Sequence, residues 1–131
     1  MKKKKLLDSF ALLAFLKKEN NYHLIKGLLS TPDNPALMNE VNVGETYYIL
    51  AKERGMEQAD IFLEVILPSL PIIIKSNSFD HVIEASKIKA RYPLSFADCF
   101  AVATAVRENA AILTGDPEFK HVQKLVEIEW L

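Results

Sequence analysis

The sequence is poor in residues on which several classes of protein depend. Its 131 residues include one cysteine and four glycines. A single cysteine, Cys99, excludes an intramolecular disulfide framework and a structural zinc site built on several thiolates, and it favours the reducing cytoplasm as the location. The glycines form neither a Gly-rich phosphate loop nor a G-x-S-x-G elbow. The sequence therefore gives no support to a nucleotide-cofactor enzyme or to a serine hydrolase.

Long apolar runs and a strong charge imbalance are also missing. The lysines at residues 2–5 are followed, after two leucines, by Asp8 and Ser9, which argues against a secretory signal. No stretch approaches the roughly 18 uncharged apolar residues of a membrane span, so we expect no association with a membrane. Sixteen basic and seventeen acidic residues give a formal net charge of -1. This balance argues against nucleic-acid binding by bulk electrostatic attraction alone.

Length and composition predict one globular α/β domain over residues 1–131. Half of the residues are hydrophobic and a quarter are charged, which is enough for a substantial core. Apolar patterning predicts strands at residues 4–7, 72–74, 111–113 and, at a sheet edge, 126–130. It predicts helices at residues 8–16, 22–29, 39–54, 57–67, 78–91 and 95–109. Strands that alternate with helices imply a three-layer α/β/α domain around a mainly parallel sheet.

Three local patterns lead to more specific expectations. Three consecutive β-branched residues at 72–74 predict a strand that is covered on both faces. Pro68 is expected to end the helix that precedes it. The helix at residues 95–109 is apolar all round, which predicts that it is buried on most sides.

Four carboxylates stand where such a fold gathers ligands. Asp8 and Asp116 follow predicted strands, and open α/β sheets bind ligands beyond the carboxyl ends of their strands. Glu45 lies in an apolar stripe of its helix, and Asp98 lies alone among apolar residues in another helix. Taken singly, each acid also has an ordinary structural explanation as a helix cap, a capping-box residue, a turn residue or a solvated helix residue.

Taken together, the four acids indicate a metal site. The predicted fold directs all of them toward one end of one sheet, where like charges within a few ångströms repel. Such a cluster requires cations, and a set of oxygen ligands favours Mg²⁺ or Mn²⁺. Ions held in this way activate water, orient a phosphodiester and stabilise the leaving oxygen, as in metal-dependent nucleases.

Four short motifs span nearly the whole chain. They are Leu6-Leu7-Asp8-Ser9, Asn39-Glu40-Val41-Asn42-Val43-Gly44-Glu45, Leu94-Ser95-Phe96-Ala97-Asp98 and Leu113-Thr114-Gly115-Asp116. In this order and spacing they resemble the motifs of PIN-domain ribonucleases, in particular the VapC-type toxins of type II toxin-antitoxin systems. The resemblance implies a PIN-like α/β/α fold and an Mg²⁺- or Mn²⁺-dependent endoribonuclease that cleaves RNA phosphodiester bonds. It also implies a cytoplasmic homodimer that a cognate antitoxin protein inhibits.

The resemblance also implies roles for individual residues. Carried over position by position, it implies four catalytic metal ligands: Asp8, Glu45, Asp98 and Asp116. It implies two hydroxyl neighbours that orient carboxylates or waters: Ser9 and Thr114. Glu40 competes with Glu45 for the place of the helix acid. The family spacing favours Glu45, and the positive end of the helix dipole explains an acid at Glu40 without a function.

Two other functions stay open at this point. A receiver-like signalling module also gathers acids around Mg²⁺, but it needs a phosphoacceptor aspartate after a middle strand and a lysine after a late strand. Here Lys75 follows the strand at residues 72–74 and Thr114 follows the late strand. The other alternative is a catalytically silent PIN-like domain that only binds RNA or protein, although such a surface gains nothing from four mutually repulsive acids. No motif indicates the RNA target.

Overall fold

The computed structural model describes residues 3–19 and 22–131 of the protein. Five parallel strands form one sheet in the order β3-β2-β1-β4-β5. The strands are β1 Lys4–Leu7, β2 Ala36–Asn39, β3 Ile72–Lys75, β4 Ala110–Thr114 and β5 Ile128–Trp130. The prediction that the last strand lies at an edge is confirmed, since β5 pairs with β4 alone in the described part of the chain.

Helices connect the strands and cover both faces of the sheet. The α-helices are α1 Ser9–Leu16, α2 Tyr22–Leu28, α3 Glu40–Arg54, α4 Met56–Ile61, α5 Leu67–Ser69, α6 Phe79–Arg91 and α7 Phe96–Glu108. A π-helical turn at Phe62–Ile66 joins α4 to α5, and a 3-10 helix at Pro117–Val122 follows β4. The predicted three-layer α/β/α fold is confirmed. Across the described ranges, no helix is long and apolar enough to cross a membrane.

Successive residues of the central strands enter two separate hydrophobic cores. Leu6 and Ile112 pack in the core that includes α6 and α7, whereas Leu7 and Leu113 pack in the core that includes α1, α2 and α3. The two pairs are also register partners in the sheet. Because side chains alternate across a strand, one short apolar segment stabilises both layers. Most of α7 is buried, as its composition predicts.

The strand β2 was not predicted from the sequence, which indicated a loop followed by a helix. Its four residues are all buried and pair with both β1 and β3. The segment Ala-Leu-Met-Asn contains no β-branched or aromatic residue and follows a proline-rich stretch. A short apolar run of this kind has no periodicity that separates a strand from the start of a helix.

Two further expectations are wrong in this part of the chain. β3 lies at an edge of the sheet, and its residues Ile73 and Ile74 are each 44% exposed rather than covered. β-branched side chains favour any pleated strand, so they indicate the strand but not its place in the sheet. Pro68 does not end the helical segment, which runs without a break from Met56 through the π-helical turn to Ser69, one residue beyond it. Proline in this last turn removes one N–H bond, and the π-helical turn before it already departs from regular α-helical bonding.

Burial in the π-helical turn leads to a prediction about stability. Phe62 is 1% exposed, whereas the adjacent Leu63 is 43% exposed. We expect Phe62→Ala to lower the free energy of unfolding by about 3–5 kcal/mol because it leaves a cavity in the core. Leu63→Ala should lower it by about 1 kcal/mol or less. Urea unfolding of both variants tests this, and equal losses would contradict the burial of Phe62.

Candidate active site

An open cavity of about 310 Å³ lies at the carboxyl ends of β1 and β4. Its lining includes all of the acids predicted from the sequence: Asp8, Glu45, Asp98 and Asp116. Four different elements deliver them, since Asp8 follows β1, Glu45 lies in α3, Asp98 lies in the first turn of α7 and Asp116 follows β4. β1 and β4 are parallel neighbours, so their carboxyl ends meet at one edge of the sheet.

Asp8 connects the ends of the two strands. Its side chain is nearly fully buried and caps α1, where Oδ1 accepts a hydrogen bond from the Ala11 N–H at 2.8 Å. Oδ2 accepts a hydrogen bond from the Thr114 hydroxyl at 2.5 Å. The same hydroxyl oxygen accepts from the Asp116 N–H at 3.0 Å. Thr114 therefore holds both the Asp8 carboxylate and the backbone that carries Asp116.

Burial raises the pKa of the Asp8 carboxyl from 3.8 to about 7. The hydrogen bonds from Thr114 and Ala11 lower this pKa, and the negative charges of Asp98 and Asp116 raise it further. Desolvation disfavours the charged form of a carboxyl, and it outweighs the two hydrogen bonds here. Without a counter-charge, Asp8 therefore holds its proton at a higher pH than an ordinary aspartate does.

The Asp98 carboxyl experiences the same effects more weakly. Burial raises its pKa from 3.8 to about 6, and hydrogen bonding with Ser95 lowers it. The charges of Glu45, Asp116 and Glu118 raise it further. Ser95 also caps α7, since its hydroxyl oxygen accepts from the Asp98 N–H at 3.2 Å. The capping explanation of Asp98 is therefore correct for its backbone, while its carboxyl group belongs to the acidic cluster.

Glu45 rather than Glu40 faces the cavity. Glu45 is half-buried, and its Oε1 accepts a hydrogen bond from the Ser9 hydroxyl. Ser9 directly follows Asp8, so this bond connects α3 to the end of β1. Glu40 is exposed and does not line the cavity, and its Oε1 accepts from the Asn77 N–H at 3.1 Å. Of the two acids, the one in the apolar stripe of α3 is thus the one that lines the cavity.

Glu118 is a further cavity residue, and it was not predicted from the sequence. One carboxylate oxygen from each of Asp98, Asp116 and Glu118 lies within 4.8 Å of the others. The 3-10 helix begins at Pro117, and Asp116 caps it by accepting from the Glu118 N–H at 3.0 Å. Proline is preferred at the first position of a helix. The Asp-Pro-Glu sequence after a strand was therefore a signal for a helix start that places a second acid beside Asp116.

Phe10 and Gly115 meet at the mouth of the cavity. Phe10 lines the cavity and is 39% exposed. A Cβ atom at position 115 would lie 2.5 Å from Phe10 Cε1. This distance is shorter than any normal contact, so the absence of a side chain at Gly115 allows the aromatic ring to take this place.

A known protein family matches the part of the chain that contains all of these cavity residues. The family model described as the PIN domain matches residues 5–125. The chain belongs to the PIN domain family. The match includes every acid of the cavity, and this membership supports nuclease activity as the general class of function. No curated protein matches the chain.

Solved structures share the fold of this PIN domain at low sequence identity. VapBC2 from Rickettsia felis, bound to a promoter DNA fragment, is 19% identical with a TM-score of 0.76 over 97% of this chain and 98% of that chain. VapC20 from Mycobacterium tuberculosis, described as a sarcin-ricin loop cleaving toxin, is 16% identical. Its TM-score is 0.74, and the match covers 89% of this chain and 93% of that chain. A toxin-antitoxin complex from Klebsiella pneumoniae is 16% identical with a TM-score of 0.67 over 96% of each chain.

The buried carboxyl of Asp8 predicts how the stability of the metal-free protein depends on pH. Its folded pKa of about 7 lies above the ordinary 3.8, so the folded state binds this proton more tightly than the unfolded state does. The free energy of unfolding should therefore fall as the pH rises from about 4 to about 7. We expect Asp8→Asn to raise it at pH 8 by on the order of 2–4 kcal/mol and to have little effect near pH 4.

Urea unfolding with excess chelator at both pH values measures this difference. Asp33→Asn, at an exposed position in the loop before β2, is the matched control and should change neither value. A difference between Asp8→Asn and the wild type that is the same at pH 4 and pH 8 would contradict the raised pKa.

Proposed function

We propose that the chain is a single-domain, Mg²⁺- or Mn²⁺-dependent endoribonuclease toxin of the cytoplasm that a cognate antitoxin neutralises. The observation that carries this proposal is the convergence of carboxylates from four separate elements on one cavity of a PIN domain. They are Asp8, Glu45, Asp98 and Asp116, joined by Glu118. A surface used only for binding gains nothing from holding these charges together.

The donor set fits a hard divalent cation. Its acids offer only oxygen atoms, and no histidine or cysteine stands among the described residues that line the cavity. Oxygen ligands suit Mg²⁺ and Mn²⁺ better than zinc or copper. The raised pKa values of Asp8 and Asp98 reflect burial and mutual repulsion, and a cation among these carboxylates opposes both effects.

The chain's own residues have mainly positioning roles in this proposal. The carboxylates of Asp8, Glu45, Asp98 and Asp116 would hold the cation. When bound, such an ion lowers the pKa of water and stabilises the leaving oxygen of a phosphodiester. The hydroxyls of Thr114 and Ser9 orient the carboxylates of Asp8 and Glu45, as their hydrogen bonds indicate. The cavity that these carboxylates line is open to solvent, as an RNA substrate requires.

Similar proteins support the substrate and the partners of this proposal. VapC20 is described as cleaving the sarcin-ricin loop, which supports RNA as the substrate of this chain. The Klebsiella pneumoniae structure is described as a toxin-antitoxin complex, which supports a protein inhibitor. The resemblance to VapC-type toxins adds homodimerisation to the proposal. The RNA target depends on the shape and contacts around the cavity rather than on the acids themselves.

An RNA cleavage assay tests the proposed activity. The purified chain, free of any partner, is incubated with a structured RNA pool in Mg²⁺, in Mn²⁺ and in excess chelator. We expect cleavage only with metal, and a loss of about 100-fold or more in Asp98→Asn because the cation loses a ligand charge. Glu84→Gln is the matched control, since this acid lies on α6 and pairs with Arg107 outside the cavity.

The outcomes of this assay separate the alternatives. Cleavage by Asp98→Asn at the wild-type rate, with contaminating ribonuclease excluded, would overturn the site. If no RNA is cleaved but Mg²⁺ raises the unfolding temperature of the wild type and not of Asp98→Asn, the chain is a metal-binding domain without general nuclease activity. Phosphate transfer from a small phosphodonor to an aspartate would instead support a receiver-like module.

Glu118 leads to a separate prediction about metal affinity. Its carboxylate lies beside those of Asp98 and Asp116, so Glu118→Gln removes negative charge from the cluster without emptying it. We expect the dissociation constant for Mn²⁺, measured by calorimetry, to rise by about tenfold. Glu127→Gln, which alters an exposed acid paired with Lys3 at the surface, should leave it unchanged. Equal affinity in Glu118→Gln and the wild type would exclude Glu118 from the metal site.

A further inference from the structure

Two buried asparagines connect the start of α3 to α7. Asn39 caps α3, and its Nδ2 donates a hydrogen bond to the Thr104 hydroxyl at 2.8 Å. Asn42 lies three residues further on, and its Nδ2 donates to the Ala97 carbonyl at 3.2 Å. Both asparagines are 0% exposed. Side-chain hydrogen bonds at two points along α7, Ala97 and Thr104, thus hold the start of α3 against this helix.

The bond from Asn42 lies between two acids of the cavity. Ala97 directly precedes Asp98, and Asn42 lies three residues, or slightly less than one helical turn, before Glu45. Glu45 and Asp98 are the cavity acids that lie within α-helices, and these helices pack against each other. A bond between the helices at this height ties the backbone beside Asp98 to the helix that carries Glu45. Asn42 does not line the cavity, so it acts on the site indirectly, through the backbones of α3 and α7.

Asn42 carries a buried side-chain oxygen that has no hydrogen-bond partner. Within the described ranges 3–19 and 22–131, Asn42 Oδ1 is the one buried side-chain nitrogen or oxygen atom without a hydrogen-bond partner. The Ala97 carbonyl only accepts, so the amide must turn its NH₂ group toward α7 and leave Oδ1 unpaired. An unpaired buried acceptor is destabilising, and an apolar residue of similar shape avoids that penalty. Buried polar atoms in folded proteins almost always have a hydrogen-bond partner. A residue that leaves one unpaired where an apolar residue would fit therefore points to a functional constraint.

We propose that Asn42 is a positioning residue that sets the separation of Glu45 from Asp98 and thereby the affinity of the cavity for a divalent cation. This inference rests on the proposed metal-dependent function. Residues that orient ligands without contacting the metal typically change metal affinity by about 10- to 100-fold when they are replaced. Asn42 acts in this way through the backbone of Ala97, and it has no contact with the cation or with RNA.

The test compares Asn42→Leu with Thr46→Val in the full chain. Thr46 is equally buried, lies next to Glu45 and donates its hydroxyl to the Asn42 carbonyl at 2.9 Å within α3. Thr46→Val therefore removes a buried hydrogen bond from the same helix while it leaves the bond between Asn42 and Ala97 in place. Calorimetry with Mn²⁺ should show binding weakened about 10- to 100-fold in Asn42→Leu and within about twofold of the wild type in Thr46→Val.

Two further measurements distinguish positioning from a purely structural role. The unfolding temperature of metal-free Asn42→Leu should equal or exceed that of the wild type, because the unpaired oxygen is gone. Its RNA cleavage should be slow at limiting Mg²⁺ and recover at saturating Mg²⁺, with KM for RNA unchanged. If Asn42→Leu does not fold, Asn42→Ala, which keeps the helix propensity and removes the same bond, should show the same weakening of Mn²⁺ binding.

The outcomes separate this inference from the proposed function. A wild-type chain that binds no Mn²⁺ would overturn the metal centre itself. A wild-type chain that binds Mn²⁺ and cleaves RNA, with folded Asn42→Leu or Asn42→Ala of equal Mn²⁺ affinity, would overturn the role of Asn42 and leave the proposed function intact. Weakening by Thr46→Val as large as that by Asn42→Leu would also overturn it, since the contact with α7 would then be irrelevant.

Discussion

Repulsion between carboxylates that are held in one partly buried place is the constraint on which the rest of the structure depends. Asp8 is almost fully buried and Asp98 is 6% exposed, so water screens their charges poorly. The apolar layers on both faces of the sheet provide the burial energy that holds such a cluster together. Hydroxyls from Thr114 and Ser9 then satisfy part of the hydrogen-bonding capacity of the acids.

The sequence indicated the acids through local contrast with their surroundings. Asp98 was recognisable because it stands alone in an apolar helix, and Asp8 and Asp116 because they follow short apolar strands. Glu118 was missed because Asp116-Pro117 was interpreted as a turn, whereas Asp116 caps a 3-10 helix that begins at Pro117 and places Glu118 beside it. The sequence pattern predicts where these acids lie in the fold. It does not determine whether they bind a metal ion, which is part of the proposed function.

The layered fold was predictable from alternating strand and helix segments, but the arrangement of its strands was not. β2 has no β-branched residues, and only pairing with both β1 and β3 makes it a strand. β3 has the composition of a central strand and lies at the edge. Strand order is set by tertiary packing, so the strand propensity of individual residues does not predict it. Solved structures below 20% identity share this fold, because an apolar core tolerates many sequences of similar volume.

The contact between Phe10 and Gly115 restricts how relatives of this chain are able to vary. The aromatic ring occupies the space in which a Cβ atom at position 115 would stand. A side chain at position 115 therefore requires either that the partly exposed Phe10 ring turns away or that position 10 holds a smaller residue. These two positions lie more than a hundred residues apart in sequence, yet the fold couples the choice of side chain at one to the ring position at the other. Because Phe10 also lines the cavity, a change at position 115 would alter the space beside the acids without replacing any of them.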